Sequence, residues 1–303
     1  MSHHAPAIVE RRLWVLPALA GTALICAVWQ PYAPDAIDML NRHGAPTLAH
    51  WLGTDHLGRD VLARLMAGMG RTFLALGIVA TMCVMLGLAV GLAAASTSGI
   101  LRGALLRVAE FASVMPTLVV AIAIVSLLGF DAVTAGIALG LGAWGPYALL
   151  ADGLARRALS EPYVQAARAL GGTKSRLMFR HVLPAVLDTQ LAYLGAKLGR
   201  IVIAYAALAF LGLGADSSRP DWGAMLFEYR LYMFDHPALM LWPGFAVVVT
   251  CAALRTALGQ DRGARVPASS GDTAAALECA DLHVHGAADN PVATGVETAR
   301  RTG

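Results

Sequence analysis

Apolar residues along this chain fall into long blocks separated by short polar links, and six of the blocks are long enough to cross a bilayer. A spanning helix needs about 20 mostly apolar residues, because each residue contributes about 1.5 Å of rise against about 30 Å of hydrocarbon. The blocks run Leu13–Trp29, Phe73–Ala95, Leu105–Leu128, Ala132–Ala151, Leu187–Leu213 and Ala238–Leu258. They predict an all-α, polytopic membrane protein with about six transmembrane helices. The first block, preceded by Arg11 and Arg12, has the basic flank of a signal peptide. It lacks a small-residue cleavage site before Gln30-Pro31 and five more spans follow, so a retained helix is expected. Pro116 in the third block and Pro146 in the fourth are expected to bend their helices.

The polar links give the orientation, since Lys and Arg gather on the cytoplasmic side. Arg11 and Arg12 precede span one, and Arg102 and Arg107 bound the link between spans two and three. Arg156, Arg157, Arg168, Lys174, Arg176 and Arg180 fill the link between spans four and five. The link at Gly129-Phe130-Asp131 has no cation, and the link after span five holds Asp216, Asp221, Glu228 and Asp235 against Arg219 and Arg230. The alternation puts both termini in the cytoplasm. The link from Gln30 to Thr72 fits less well, with Arg42, Arg59, Arg64 and Arg71 against Asp35, Asp38, Asp55 and Asp60. The remaining links require it to be external.

Composition agrees. Apolar residues are 57% and charged residues 14% of the 303, where soluble domains carry about 25% charged residues. A net charge of +3 is too small to indicate a nucleic-acid partner. Cys26, Cys83 and Cys251 lie in apolar runs without metal-site spacing and read as small apolar fillers.

One cytoplasmic stretch stands out, "YVQAARALGGTKSRLMFRHVLP", Tyr163 to Pro184. Tyr163, Ala166, Ala167 and Leu170 recur at helical spacing, and Gly171-Gly172 ends that helix. A short helix with a small-residue face in a basic loop suits docking of another surface. An interfacial helix with snorkelling cations has the same pattern.

This stretch resembles the EAA loop of importer permeases in the ATP-binding-cassette superfamily, carried by Ala166, Ala167, Gly171, Val182, Leu183 and Pro184, with Gln165 where the family usually has Glu. "HWLGTDHLGRDVLARLMAG", His50 to Gly68, is similar to the block before the second span of dipeptide, oligopeptide and nickel permeases. Its motif residues are Gly53, Thr54, Asp55, Gly58, Arg59 and Asp60. "FLGLGADSSRPDWGAML", Phe210 to Leu226, with "WPGFAVVV" after it, is a third match. Together they resemble the C-type permease subunit of that cluster, with a type I importer transmembrane domain.

The resemblance implies a multi-pass subunit of the bacterial inner membrane, surrounded by lipid. Its implied partners are a sister permease, two ATP-binding subunits and an extracytoplasmic solute-binding protein. ATP and Mg²⁺ would be used by those partners, with no cofactor on this chain. In agreement, the chain has no G-x-x-x-x-G-K-[ST] loop; "GGTKS" at Gly171–Ser175 lacks the spacing. The loop at about 156–184 would then be the handle that an ATPase grips. The permease domain is expected over 1–258. The segment 259–303, rich in Ala, Gly, Thr and Asp, reads as a disordered cytoplasmic tail. "DLHVH" within it, Asp281–His285, reads as chance. The end of the last span, with Leu254-Arg255-Thr256-Ala257-Leu258 and then Gln260-Asp261-Arg262, departs from the family's usual Asn and Gly-Asp-x-Leu-Arg-Asp block.

Lys197 and Arg200 lie one turn apart near the middle of span five. They either line a water-filled path or pair with acids such as Glu110, which itself has Arg107 a turn away. Tyr205 joins the path candidates, standing where many peptide-branch relatives carry an acid. His43, His50 and His56 with Asp55 and Asp60 have the residue types of an external metal site, but a loop tied together by Asp55, Arg59 and Asp60 is the reading preferred, with no metal. The expected cargo is a nickel ion or metal chelate, with a di- or oligopeptide as the alternative. Two other classes stay in view. A polytopic membrane enzyme needs acids and histidines converging within the membrane, and a stand-alone channel or carrier has no need of a docking loop.

Overall fold

The computed structural model describes Gly21, residues 32–213 and residues 219–258. Apart from Gly21, the first apolar block lies outside the described residues, as do both termini and the expected tail. Within them the chain is helical, with a single isolated bridge, Thr54 to Asp60, in place of any strand.

Helix α1, Val61–Ser96, begins where the Asp60 carboxylate accepts the Ala63 N–H. Its 36 residues extend about 54 Å, well beyond the hydrocarbon thickness. It starts at Val61 rather than Phe73, because Arg64 and Arg71 in its first turns find carboxylates on neighbouring elements. The third block is two helices, α2 (Gly99–Val114) and α3 (Thr117–Leu128), bent by 86°. Proline excludes helical ψ at the residue before it, and Met115 accordingly sits at ψ 128°. The fourth block is also two helices, α4 (Ala132–Ala143) and α5 (Gly145–Ser160), meeting at 49° at Trp144 beside Pro146. Neither α3 nor α4 is long enough to cross alone, since 12 residues rise about 18 Å. Each reaches spanning length only with its bent partner.

A short helix α6, Pro162–Ala169, follows, then α7, Lys174–Leu177. From α7 the helical path runs through a π-turn at Met178–Val182 and helix α8 (Leu183–Leu208) into a second π-turn at Ala209–Leu213, where Gly212 breaks it at φ 82°. Helix α9, Trp222–Tyr229, leads to α10, Pro237–Leu258. Among the described residues, three helices are long and apolar enough to span by themselves, and up to five spans result if each bent pair counts as one.

Small residues let these helices touch backbone to backbone, as packing in lipid requires. A Cβ on Gly91 would fall 2.5 Å from the Ala148 carbonyl oxygen, and one on Gly145 would fall 2.6 Å from that of Ala109. Along α1, Ala75 and Ile78 meet Gly136, Met82 meets Gly140, and Gly91 meets Ala151. Rising numbers meet rising numbers, so α1 runs parallel to α4–α5, as alternate spans must.

This parallel pair separates an end bearing Thr47 and the Asp55 block from an end bearing α6. A cysteine replacing exposed Thr47 is expected to react with an impermeant maleimide in intact cells, and one replacing exposed Ser175 is expected to react only after lysis. Labelling of Ser175→Cys from outside would invert the orientation.

Candidate functional site

Three constellations carry the chemistry. The first is the cytoplasmic loop. Pro162 occupies the first turn of α6, where a missing N–H costs nothing. Val164 is buried, Tyr163, Gln165 and Ala166 are exposed, and Ala167 is half-buried. Gly171 ends the helix at φ 89°, a left-handed conformation, while the Gly172 N–H donates to the Ala167 carbonyl at 3.1 Å. Val182 and Val186 then pack with Ala151, Ala155 and Ala158 of α5. Leu183 is half-buried and Pro184 exposed in the first turn of α8. The loop thus has a buried foot on α5 and α8 and an exposed face with small residues, beside Leu170 at 89% exposure. Arg156, Arg157, Arg168, Lys174, Arg176 and Arg180 are all exposed around it, and among the described residues none has a salt bridge.

The second constellation is a cavity of about 650 Å³ between the two bends and α8. Ser113, Pro116 and Thr117 come from the α2–α3 bend, Gly142 and Pro146 from the α4–α5 bend, and Tyr193, Lys197, Arg200 and Ala204 from α8. The bends are tied where the Thr117 hydroxyl donates to the Gly142 carbonyl at 3.0 Å. Lys197 and Arg200 therefore line one cavity. Glu110 and Tyr205 do not. Glu110 is exposed on α2, 3.4 Å from Arg107. Tyr205 is buried and donates to Asp221 at 2.6 Å, and Asp221 caps α9.

The third is the external block. Gly53 and Gly58 both take φ near +77° (76° and 77°), and the turn they shape folds Asp55 inward to full burial. One Asp55 oxygen accepts the Leu57 and Arg59 N–H groups, and the other takes Arg59 Nε at 2.7 Å. Arg59 and Arg64 each also reach Glu228 on α9, at 2.5 and 2.9 Å. Asp60 caps α1 and holds His50 Nδ1 at 2.8 Å, and Thr54 receives the Gly44 N–H. His50 goes to Asp60, whereas His56, 3.4 Å from Glu228, and His43, stacked on His236, both pack on the Tyr232 ring. Burial holds the His43 and His56 imidazoles below their ordinary pKa. The block is a latch between the start of α1 and α9.

Sequence reasoning missed Glu228 as the latch partner, the Arg102–Asp152 bridge between α2 and α5 at 2.8 Å, and Asp131, which holds Arg71 at 3.0 Å and Arg219 at 3.4 Å. The available signal was an isolated acid beside an apolar block, Asp131 before the fourth and Asp152 after it.

The sequence profile described as "Binding-protein-dependent transport system inner membrane component" matches residues 84–259, from within α1 to just past α10. The chain belongs to this family. It is 34% identical over 249 residues to the nickel transport system permease protein NikC of Escherichia coli K12, covering 81% of this chain and 88% of that protein. It is 31% identical over 233 residues to the glutathione transport system permease protein GsiD of Pectobacterium atrosepticum, covering 75% and 77%. The GsiD of Escherichia coli O157:H7 is 32% identical over 235 residues, covering 76% of each chain. The chain is therefore an inner-membrane permease subunit of an ATP-binding-cassette importer, a transport component rather than an enzyme. The resemblance to dipeptide, oligopeptide and nickel permeases holds.

Proposed function

We propose that this permease pairs with a sister permease to form the pathway for a nickel ion or nickel chelate handed over by an external solute-binding protein. The identity to a nickel permease over 88% of that protein's length is the observation that carries this cargo. Import of a small peptide by the same mechanism is the second reading, favoured by the similarity to glutathione permeases.

In this reading two ATP-binding partners grip α6, and their nucleotide-driven closure moves it. The foot of the loop supports such transmission, because Val182 and Val186 pack on α5 and lead into α8. Both helices line the cavity, so a shift of the handle reaches the cavity walls through packed side chains. ATP and Mg²⁺ act on those partners; this chain contributes the lever and the wall.

Mass spectrometry and metal analysis of the solute-binding protein purified with its native ligand test the cargo. Nickel, bare or chelated, is the expected ligand. A metal-free peptide would replace the nickel reading by the second one.

A further inference from the structure

The cavity wall carries charge of only one sign. Of the residues that line it, Lys197 and Arg200 are charged and none is Asp or Glu. Among the described residues neither cation has a salt bridge. Acids on the neighbouring helices and links are engaged elsewhere: Asp152 by Arg102, Asp131 by Arg71 and Arg219, Asp221 by Tyr205, Glu110 by Arg107. Lys197 Nζ instead stands 5.2 Å over the Tyr193 ring, another cavity residue, and that contact holds the ammonium in place without neutralising it.

Depth makes this arrangement costly. At 1.5 Å per residue, Lys197 is about 20 Å along the helix from Leu183 and about 20 Å from Gly212 at the far end. Charges at such depth face a water-filled space or a counter-charge, and they mark pathways. Two hydroxyls of the wall have used their donors internally, while the buried Tyr147 hydroxyl has no partner among the described residues. Ser113 donates to the Ala109 carbonyl at 2.7 Å, and Thr117 donates to that of Gly142. The two cations, with the Tyr147 hydroxyl, are left to meet a solute, and the cations are the charged groups among them.

We propose that Lys197 and Arg200 form an anion subsite in the cavity that takes a carboxylate of the passing cargo. This rests on the pathway reading above. Arg200 can bind a carboxylate through two parallel N–H bonds, and Lys197, one turn away, adds a point charge. Two cations repel a bare divalent ion, so a metal crosses here inside an anionic chelator, and a peptide presents its C-terminal carboxylate.

Proteoliposomes holding the complete importer are loaded externally with three probes in turn: radioactive nickel as the aqua ion, nickel with excess citrate, and labelled dialanine. Arg200→Met and Lys197→Met are each expected to lower uptake of the carboxylate-bearing probe that the wild type carries by on the order of tenfold, about 1.4 kcal/mol. Arg200→Lys, which keeps the charge, is expected to recover most of it. Citrate alone is expected to raise the thermal midpoint of the nanodisc-held wild-type complex and not that of the Met variants, a readout independent of uptake. Equal citrate shifts in all variants, or Met variants that carry the probe at the wild-type rate, would overturn the subsite. So would a sister permease lost from Arg200→Met and regained in Arg200→Lys, which assigns the charge to the seam between subunits. A wild type that imports only the aqua ion, with faster import in the Met variants, keeps the pathway and removes the subsite. A wild type that imports none of the probes strikes the pathway reading, while the citrate shift still decides the subsite.

Discussion

Tryptophan at Ala166 is expected to leave the chain in the membrane at normal levels and to abolish transport. Ala166 is exposed on α6, so a larger side chain can extend away from the described residues, and surface substitutions of this kind change stability by about 0.5 kcal/mol or less. A partner seated on that small-residue face would be pushed away by a whole indole ring. Gly171→Arg is expected to have the same outcome by a second route. A Cβ there has open space around it, but φ is 89°, which costs an L residue about 1–2 kcal/mol. Gly171→Ala isolates the backbone term, because alanine adds the strain with almost no bulk, and it is expected to reduce transport less than arginine does. Gln165→Glu is expected to be tolerated. Its side chain is exposed and donates one bond, from Nε2 to the Ser160 carbonyl, and a carboxylate gains from the nearby N-terminus of α6. Uptake assays beside immunoblots of membrane fractions check all four. Wild-type uptake by Ala166→Trp would show that no partner occupies this face.

The short helix and turn of the Tyr163–Pro184 stretch were largely legible because their signals are local. The Ala166-Ala167 spacing, the glycine stop and the entry proline all act within a few residues of one another. The spans were legible for the same reason: a long apolar run is a local property. Their bends were legible only as prolines, and nothing in periodicity says that Pro116 turns the chain by 86°. Lys197 and Arg200 could be singled out as charges in an apolar block, but which way they face depends on helix rotation. Glu110 shows the limit, since its own neighbour Arg107 satisfies it and the cavity lies elsewhere. The latch was the least legible feature. Arg59 and Arg64 are 169 and 164 residues from Glu228, and no pattern along the chain pairs groups so far apart. That distance also explains why α1 begins earlier than its apolar block: its polar first turns are stabilised by an element that arrives near the end of the domain.

Removing Glu228 is expected to have the largest effect on stability. Arg59 and Arg64 are 2% and 1% exposed, and they face Asp55 and Glu228 as two cations against two carboxylates. Tyr229, next in the chain, also donates to Asp55, at 3.2 Å, so α9 is joined to the external block at successive residues. In Glu228→Ala two buried guanidiniums compete for one carboxylate. Breaking a buried ion pair from one side costs about 3–5 kcal/mol, a large part of the stability of a whole domain, about 5–15 kcal/mol. The purified complex is expected to melt at a much lower temperature and to be recovered in lower yield. Glu228→Gln keeps the shape and one acceptor oxygen, and is expected to fall between wild type and alanine. Replacing the exposed Glu110, whose contact with Arg107 lies in solvent, is expected to change the melting temperature little. Unchanged melting in Glu228→Ala would mean that the tie from α9 to the start of α1 adds nothing to the fold. A loss confined to Glu228 and absent at Glu110 ties it to burial rather than to charge count, because the two differ chiefly in how much water reaches the cations they face.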